Sequence, residues 1–213
     1  MKNIFKVTLF LVFSLTLLSS CSKEDDYSIP PYKPLFFNEG FEEIPRANTG
    51  ANQFITLEGW SNVSLNGGAR KWEARYYSAD GQYAQLQAFQ SNETNMDTWL
   101  ISPALNFDLT ENEGLIFSYK QAFYNGQPLS VLISTNYDGS NTAQAINNAT
   151  WTDMNVVLPD FLTTGYPSSF SKSEIIDLSE FDGTVYIAFR YKGSSSGIST
   201  TFQLDDIKLF ENK

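Results

Sequence analysis

The chain has 213 residues, a formal net charge of −10, one cysteine and no histidine. Without His there is no Ser-His-Asp or Cys-His catalysis and no imidazole metal ligand, and a single Cys allows neither an intrachain disulfide nor a thiolate zinc site. The acidic balance argues against nucleic acid, whose binding rests on Lys and Arg neutralising phosphates, and it suits cation binding and soluble display at a surface.

Lys2 and Lys6 begin the chain, and an apolar run from Val7 to Leu18 follows. At about 1.5 Å per residue that run spans roughly 18 Å, well short of a bilayer core of about 30 Å. It reads as a secretory signal over residues 1–20, with small residues before the cut. Leu18-Ser19-Ser20-Cys21 resembles the lipobox of bacterial lipoproteins, which implies cleavage before Cys21, a lipid on its thiol and attachment to a membrane. Ser22-Lys23-Glu24-Asp25-Asp26 resembles the export signal of Bacteroidota lipoproteins, which implies the outer face of the outer membrane. Residues 21–34 include Pro30, Pro31 and Pro34 and read as an extended tether. Residues 1–20 hold two lysines and no acid, so their removal moves the formal charge from −10 to −12.

Residues 35–213 read as one all-β domain. Leu115, Phe117 and Tyr119 alternate with polar neighbours, as do Leu129, Val131 and Ile133, and Val185, Ile187, Phe189 and Tyr191. That period of two predicts strands with one face in a core. Asp80-Gly81, Asn125-Gly126, Asp138-Gly139 and Asp182-Gly183 separate them as turns. The pattern gives about ten short strands and no helix, a two-sheet sandwich with its core filled by aromatic residues. Residues 45–53, 140–149 and 159–172 read as longer loops.

Four strings then carry a resemblance: Phe37-Asn38-Glu39-Gly40-Phe41-Glu42, Asp97-Thr98-Trp99-Leu100-Ile101-Ser102-Pro103, Val185 to Tyr191, and Leu204-Asp205-Asp206-Ile207. In this order they resemble the choice-of-anchor J domains of Bacteroidota, relatives of cleaved-adhesin and MAM-like domains. The resemblance implies a jelly-roll β-sandwich outside the cell, without enzymatic activity as a class.

Asp205 is the residue that needs explaining. By alternation it shares a strand face with Ile207 and Leu209, so a core-facing strand carries it inward. An unpartnered buried carboxylate costs several kcal/mol or takes up a proton. One partner is Ca²⁺, which takes six to eight oxygens; the resemblance implies Glu39 or Glu42 as co-ligands. The other is Arg75 or Arg190, or a set of backbone amides.

Among the aromatics, Trp60, Trp72, Tyr76, Tyr77, Tyr124 and Tyr137 are candidates for a sugar platform. Trp72 and Trp99 lie in strand-like runs and read as core. Tyr124 and Tyr137 sit beside turns and read as exposed, which leaves Trp60, Tyr124 and Tyr137 as ligand-binding candidates. Paired carboxylates also serve glycoside hydrolysis, but no spacing marks an acid and a nucleophile. No catalytic set emerges, and the sequence reads as a surface lipoprotein with a binding or adhesin-like domain for glycan or extracellular protein. A structural subunit of a surface complex is the alternative, and a carboxylate-based hydrolase the third.

Overall fold

Strands alternate their side chains between two faces, so a chain of period-two segments must stack sheet against sheet to bury one face of each. The computed structural model describes residues 33–45 and 53–211. The predicted signal segment, Cys21 and most of the tether lie outside the described residues. Lys33–Lys213 form one compact unit. Its strands are β1 (Leu35–Glu39), β2 (Ser61–Ser64), β3 (Glu73–Tyr77), β4 (Gly81–Leu86), β5 (Met96–Ile101), β6 (Leu105–Asn106) and β7 (Glu113–Ala122). After these come β8 (Leu129–Ser134), β9 (Thr152–Asp153), β10 (Ser171–Lys172), β11 (Ile176–Asp177), β12 (Thr184–Gly193) and β13 (Thr201–Glu211).

They form two antiparallel sheets, a jelly-roll β-sandwich. The first runs β10-β7-β13-β4-β3, with β1 on β13 and β11 on β7; the second runs β2-β5-β12-β8-β9, with β6 on β12. Leu115, Phe117 and Tyr119 of β7 and Phe202, Leu204, Ile207 and Leu209 of β13 face Val185, Ile187, Phe189 and Tyr191 of β12 across the core. Phe117 meets Phe189 edge-on at 5.4 Å, and Trp72 sits edge-on to both Tyr191 and Phe202. The Tyr191 hydroxyl donates to the Thr200 carbonyl and accepts from the Ala88 N–H, and burial pushes its pKa far up. This core tyrosine is therefore a strut, with its polar end satisfied.

Among the described residues the structure adds a short α-helix that the sequence did not suggest. Within the expected loop 140–149 lies α1 (Ala143–Asn148), capped by the Thr142 side chain, which accepts from the Ala145 N–H. With Trp151 it lies over the outer face of the second sheet, covering Val63, Trp99, Ile101, Leu132 and Ala188. The outer face of the first sheet is covered in part by Phe170, which packs edge-on to Tyr83 at 5.7 Å and under the Lys120 ammonium at 4.7 Å. Lys120 is itself buried and paired with Asp80 at 2.7 Å.

The strand carrying Asp205 does not keep strict alternation. The register of β13 on β7 shifts between Asp205 and Lys208, and Asp206 has φ of 49°. This bulge inserts an extra residue. Phe202 and Leu204 before it and Ile207 and Leu209 after it therefore all enter the core, and Asp205 leaves the alternation that would have carried it inward.

Candidate functional site

The bulge falls where β13 changes neighbours. Phe202–Leu204 pair with β4, whereas Ile207–Phe210 pair with β1. The turn after β1 crosses this junction, with Phe41 at φ of 58°. Gln82 clamps it: the buried amide Nε2 donates to the carbonyls of Phe41, Glu42 and Ile44 at 3.0, 2.9 and 3.0 Å. The Gln82 backbone N–H in turn donates to Glu42 Oε1 at 2.9 Å. Gly81 has φ of +81°, which favours glycine, and a β-carbon there would displace that same oxygen of Glu42.

Asp205 lies in this junction. Its Oδ1 accepts from the Asp206 N–H at 2.7 Å, and a β-carbon on Gly40 would stand 3.7 Å from it. Burial pushes its pKa up to about 7; the Asp206 N–H lowers it, the Asp206 and Glu42 charges raise it, and Lys208 lowers it. Neither expected arginine reaches it. Arg75 pairs with Glu73, and Arg190 makes a bidentate pair with Asp97 at 2.9 and 2.6 Å. Among the described residues the backbone-amide alternative is met by the one Asp206 N–H.

Of the expected calcium ligands, Glu42 and Asp205 are therefore brought together. Glu39 has one oxygen engaged within the turn: its Oε1 accepts from the Phe41 N–H at 2.6 Å. Burial raises its pKa, the Phe41 and Gly40 N–H groups lower it, and the Glu43 charge raises it. No three acidic side chains among the described residues come close enough to share a metal ion. A desolvated, protonatable carboxyl beside a second carboxylate fits a cation site built on two side chains and completed by carbonyls and water. Glu39→Gln, which preserves the bond to Phe41, is accordingly expected to leave any calcium response of the melting temperature unchanged.

The aromatic candidates separate clearly. Trp60 is buried against Phe37 and Phe41 at 6.3 and 5.9 Å. Tyr137 is 5% exposed beneath Trp151 and Tyr186, with its hydroxyl donating to the Ser140 carbonyl at 2.5 Å. Neither offers a ring to a ligand, which corrects the expectation for both. Tyr124 is half-buried and stacks on Phe161 at 4.0 Å and 17°. Beside this pair Phe123 meets Tyr166 edge-on at 5.3 Å. Phe123, Phe161, Leu162 and Tyr166 remain 44–49% exposed.

The backbone fixes this cluster. Tyr124 N–H donates to the Leu162 carbonyl, Phe123 N–H to Gly165 and Leu162 N–H to Gln121. Asn125 Oδ1 accepts from the Ser199 and Thr200 N–H groups, which ties the loop to the β12–β13 connection. An open groove of about 380 Å³ is lined by Gln127, Leu129, Ser130, Asp153, Asn155, Val156 and Val157. Phe161, Leu162 and Tyr166 were missed in the sequence, and the available signal was large apolar residues inside a Ser/Thr/Gly-rich loop.

Residues 82–212 match the family described as Domain of unknown function (DUF5017). No curated protein matches the sequence. Among solved structures, the K2 cleaved adhesin domain of Lys-gingipain is 19% identical with a TM-score of 0.57, covering 82% of this chain and 98% of that one. Two further cleaved adhesin domains of Lys-gingipain, from Porphyromonas gingivalis, are each 18% identical with a TM-score of 0.51, covering 83–84% of this chain and 98–99% of theirs. At such identities the likeness is one of fold.

Proposed function

The chain belongs to the DUF5017 family, and from that premise we propose that it is a non-catalytic glycan-binding domain, tethered through Cys21 to the outer face of an outer membrane. The observation that carries this reading is the cluster of exposed Phe123, Phe161, Leu162 and Tyr166 around the half-buried Tyr124. A contiguous exposed apolar patch on a soluble domain marks a place where something binds. Aromatic rings held in a fixed pose give a sugar ring a flat apolar face at little cost in side-chain entropy. Glu42 and Asp205 hold a calcium ion that locks the first turn to the last strand, a structural role remote in sequence from the aromatic loop. The adhesin in the names of the Lys-gingipain domains supports a binding role, and the lipobox-like sequence and acidic tether support the surface address.

The test is a glycan array followed by calorimetry on a bound glycan. The double variant Tyr124→Ala, Phe161→Ala is expected to bind at least about tenfold more weakly, with stability changed by about 1 kcal/mol or less. A blank array, or binding untouched by the double variant, overturns the reading. A blank array with one stable crosslinked protein partner moves it to a subunit of a surface complex, and reducing-sugar release would restore the hydrolase.

A further inference from the structure

On β3, alternation puts Glu73, Arg75 and Tyr77 on one face, the outer face of the first sheet. Glu73 lies opposite Gln85 of β4, and Gln85 lies opposite Gln203 of β13. Glu73 is only 4% exposed. Its Oε2 takes the Arg75 guanidinium at 2.5 Å, but its Oε1 is buried without a hydrogen-bond partner, and so is Arg75 Nε. A cavity of about 10 Å³ is lined by both residues together with Arg70, Gln85, Leu86 and Gln87. Gln85 and Gln87 use their Oε1 atoms to accept from Gln203 Nε2 and Thr201 Oγ1.

A buried acceptor and a buried donor left open at one cavity are costly unless a visitor completes them. The cavity has room for one oxygen atom with its proton. An anion meets the Glu73 carboxylate there and a cation meets Arg75 and Arg70, so neither sign of charge is favoured. The group that fits both openings is neutral, accepting from Arg75 Nε–H while donating to Glu73 Oε1, as a hydroxyl does. Two residues along the strand, about 6.6 Å at 3.3 Å per residue, Tyr77 presents a ring that is 59% exposed.

We propose that Glu73 and Arg75 form a hydroxyl-reading subsite for one pyranose unit, which lays its apolar face toward Tyr77 and inserts a single hydroxyl between the two side chains. The subsite rests on the reading of the domain as a glycan binder, but it lies on a different part of the fold from the Tyr124–Phe161 cluster.

The Arg75 Nε–H resonance in a ¹H–¹⁵N spectrum of the domain reports the subsite directly. Titration with methyl glycosides of glucose, galactose, mannose and N-acetylglucosamine is expected to move that resonance saturably with at least one of them. Glu73→Gln should weaken that sugar about tenfold or more. Arg75→Lys keeps a charge opposite Glu73 but lacks the Nε–H, and should weaken it similarly, read from the backbone amides of β3 and β4; it covers the case in which Glu73→Gln does not fold. If none of the sugars moves Arg75 Nε, the cavity holds only water and the proposal is overturned, whatever the array gives. If Arg75 Nε responds while the array result ignores Tyr124 and Phe161, the subsite stands and the platform reading falls.

Discussion

Asp205→Asn is expected to make the metal-free protein more stable at pH 8 and to abolish its response to calcium. In the folded protein the carboxyl titrates at about 7, against 3.8 for an ordinary aspartate. Between those two values the folded state holds a proton that the unfolded state has lost, so stability falls as pH rises through this window. The group imposes no penalty below about pH 4 and its full penalty above about pH 7. Because Asp205 is partly exposed, solvent screening reduces that penalty to roughly 1–2 kcal/mol. Asn keeps an oxygen for the Asp206 N–H and carries no charge, so the variant should lose the downward slope between pH 4 and 7. Calcium replaces the proton in the wild-type protein, and at a hundredfold excess over its dissociation constant it adds about 2.7 kcal/mol. For a domain of this size that is roughly 5–10 °C in melting temperature, larger at pH 8 than at pH 5.5 and absent in the variant. Scanning calorimetry in EDTA and in calcium across this pH range measures all of it. Equal melting temperatures in calcium and chelator at pH 8 would remove the cation from the site, and parallel pH profiles for the two proteins would remove the raised pKa.

That Asp205 is unusual was legible in the sequence; how it is unusual was not. The period of two placed β7, β8 and β12 within a residue or two, because each has one face in the inter-sheet core and the alternation is a direct imprint of that burial. Alternation alone, however, cannot show a bulge. One extra residue at Asp205–Asp206 reverses the faces of everything after it, and its backbone signature, a positive φ at Asp206, leaves no mark in the composition. The helix at Ala143–Asn148 is too short for a 3.6-residue period to emerge, so the segment read as a loop. Tyr137 looked exposed because it adjoins a turn, and Trp60 was kept as a candidate as an aromatic at a possible loop end. Both are covered by segments distant in sequence, Trp151 over the first and Phe37 and Phe41 over the second. Exposure of a single aromatic is a tertiary fact, and that is also why Tyr124 could be picked out while its partner Phe161 could not.

Gln82 gives the second large effect, and it reaches the cation site without touching a carboxylate. Its side-chain amide has two protons and three carbonyl oxygens to serve, those of Phe41, Glu42 and Ile44. Phe41 and Ile44 are buried at 0% and 3% exposure, so water cannot take over when the amide is lost. Gln82→Leu retains most of the volume but removes both donors. With about 1–3 kcal/mol for each buried acceptor left open, and partial relaxation of the turn, the expected destabilisation is on the order of 3 kcal/mol in urea unfolding. The turn from Gly40 to Ile44 is what holds Glu42 beside Asp205, and the Gln82 backbone N–H that orients Glu42 Oε1 depends on the turn staying in place. The same substitution is therefore expected to weaken calcium at least about tenfold, although both ligand side chains remain. Glu39→Gln, which keeps the bond to the Phe41 N–H, should do neither. If Gln82→Leu unfolds at the wild-type urea midpoint, the clamp is dispensable. If it is destabilised yet responds to calcium as the wild type does, Glu42 is not a ligand and the cation is held by Asp205 with groups outside this turn.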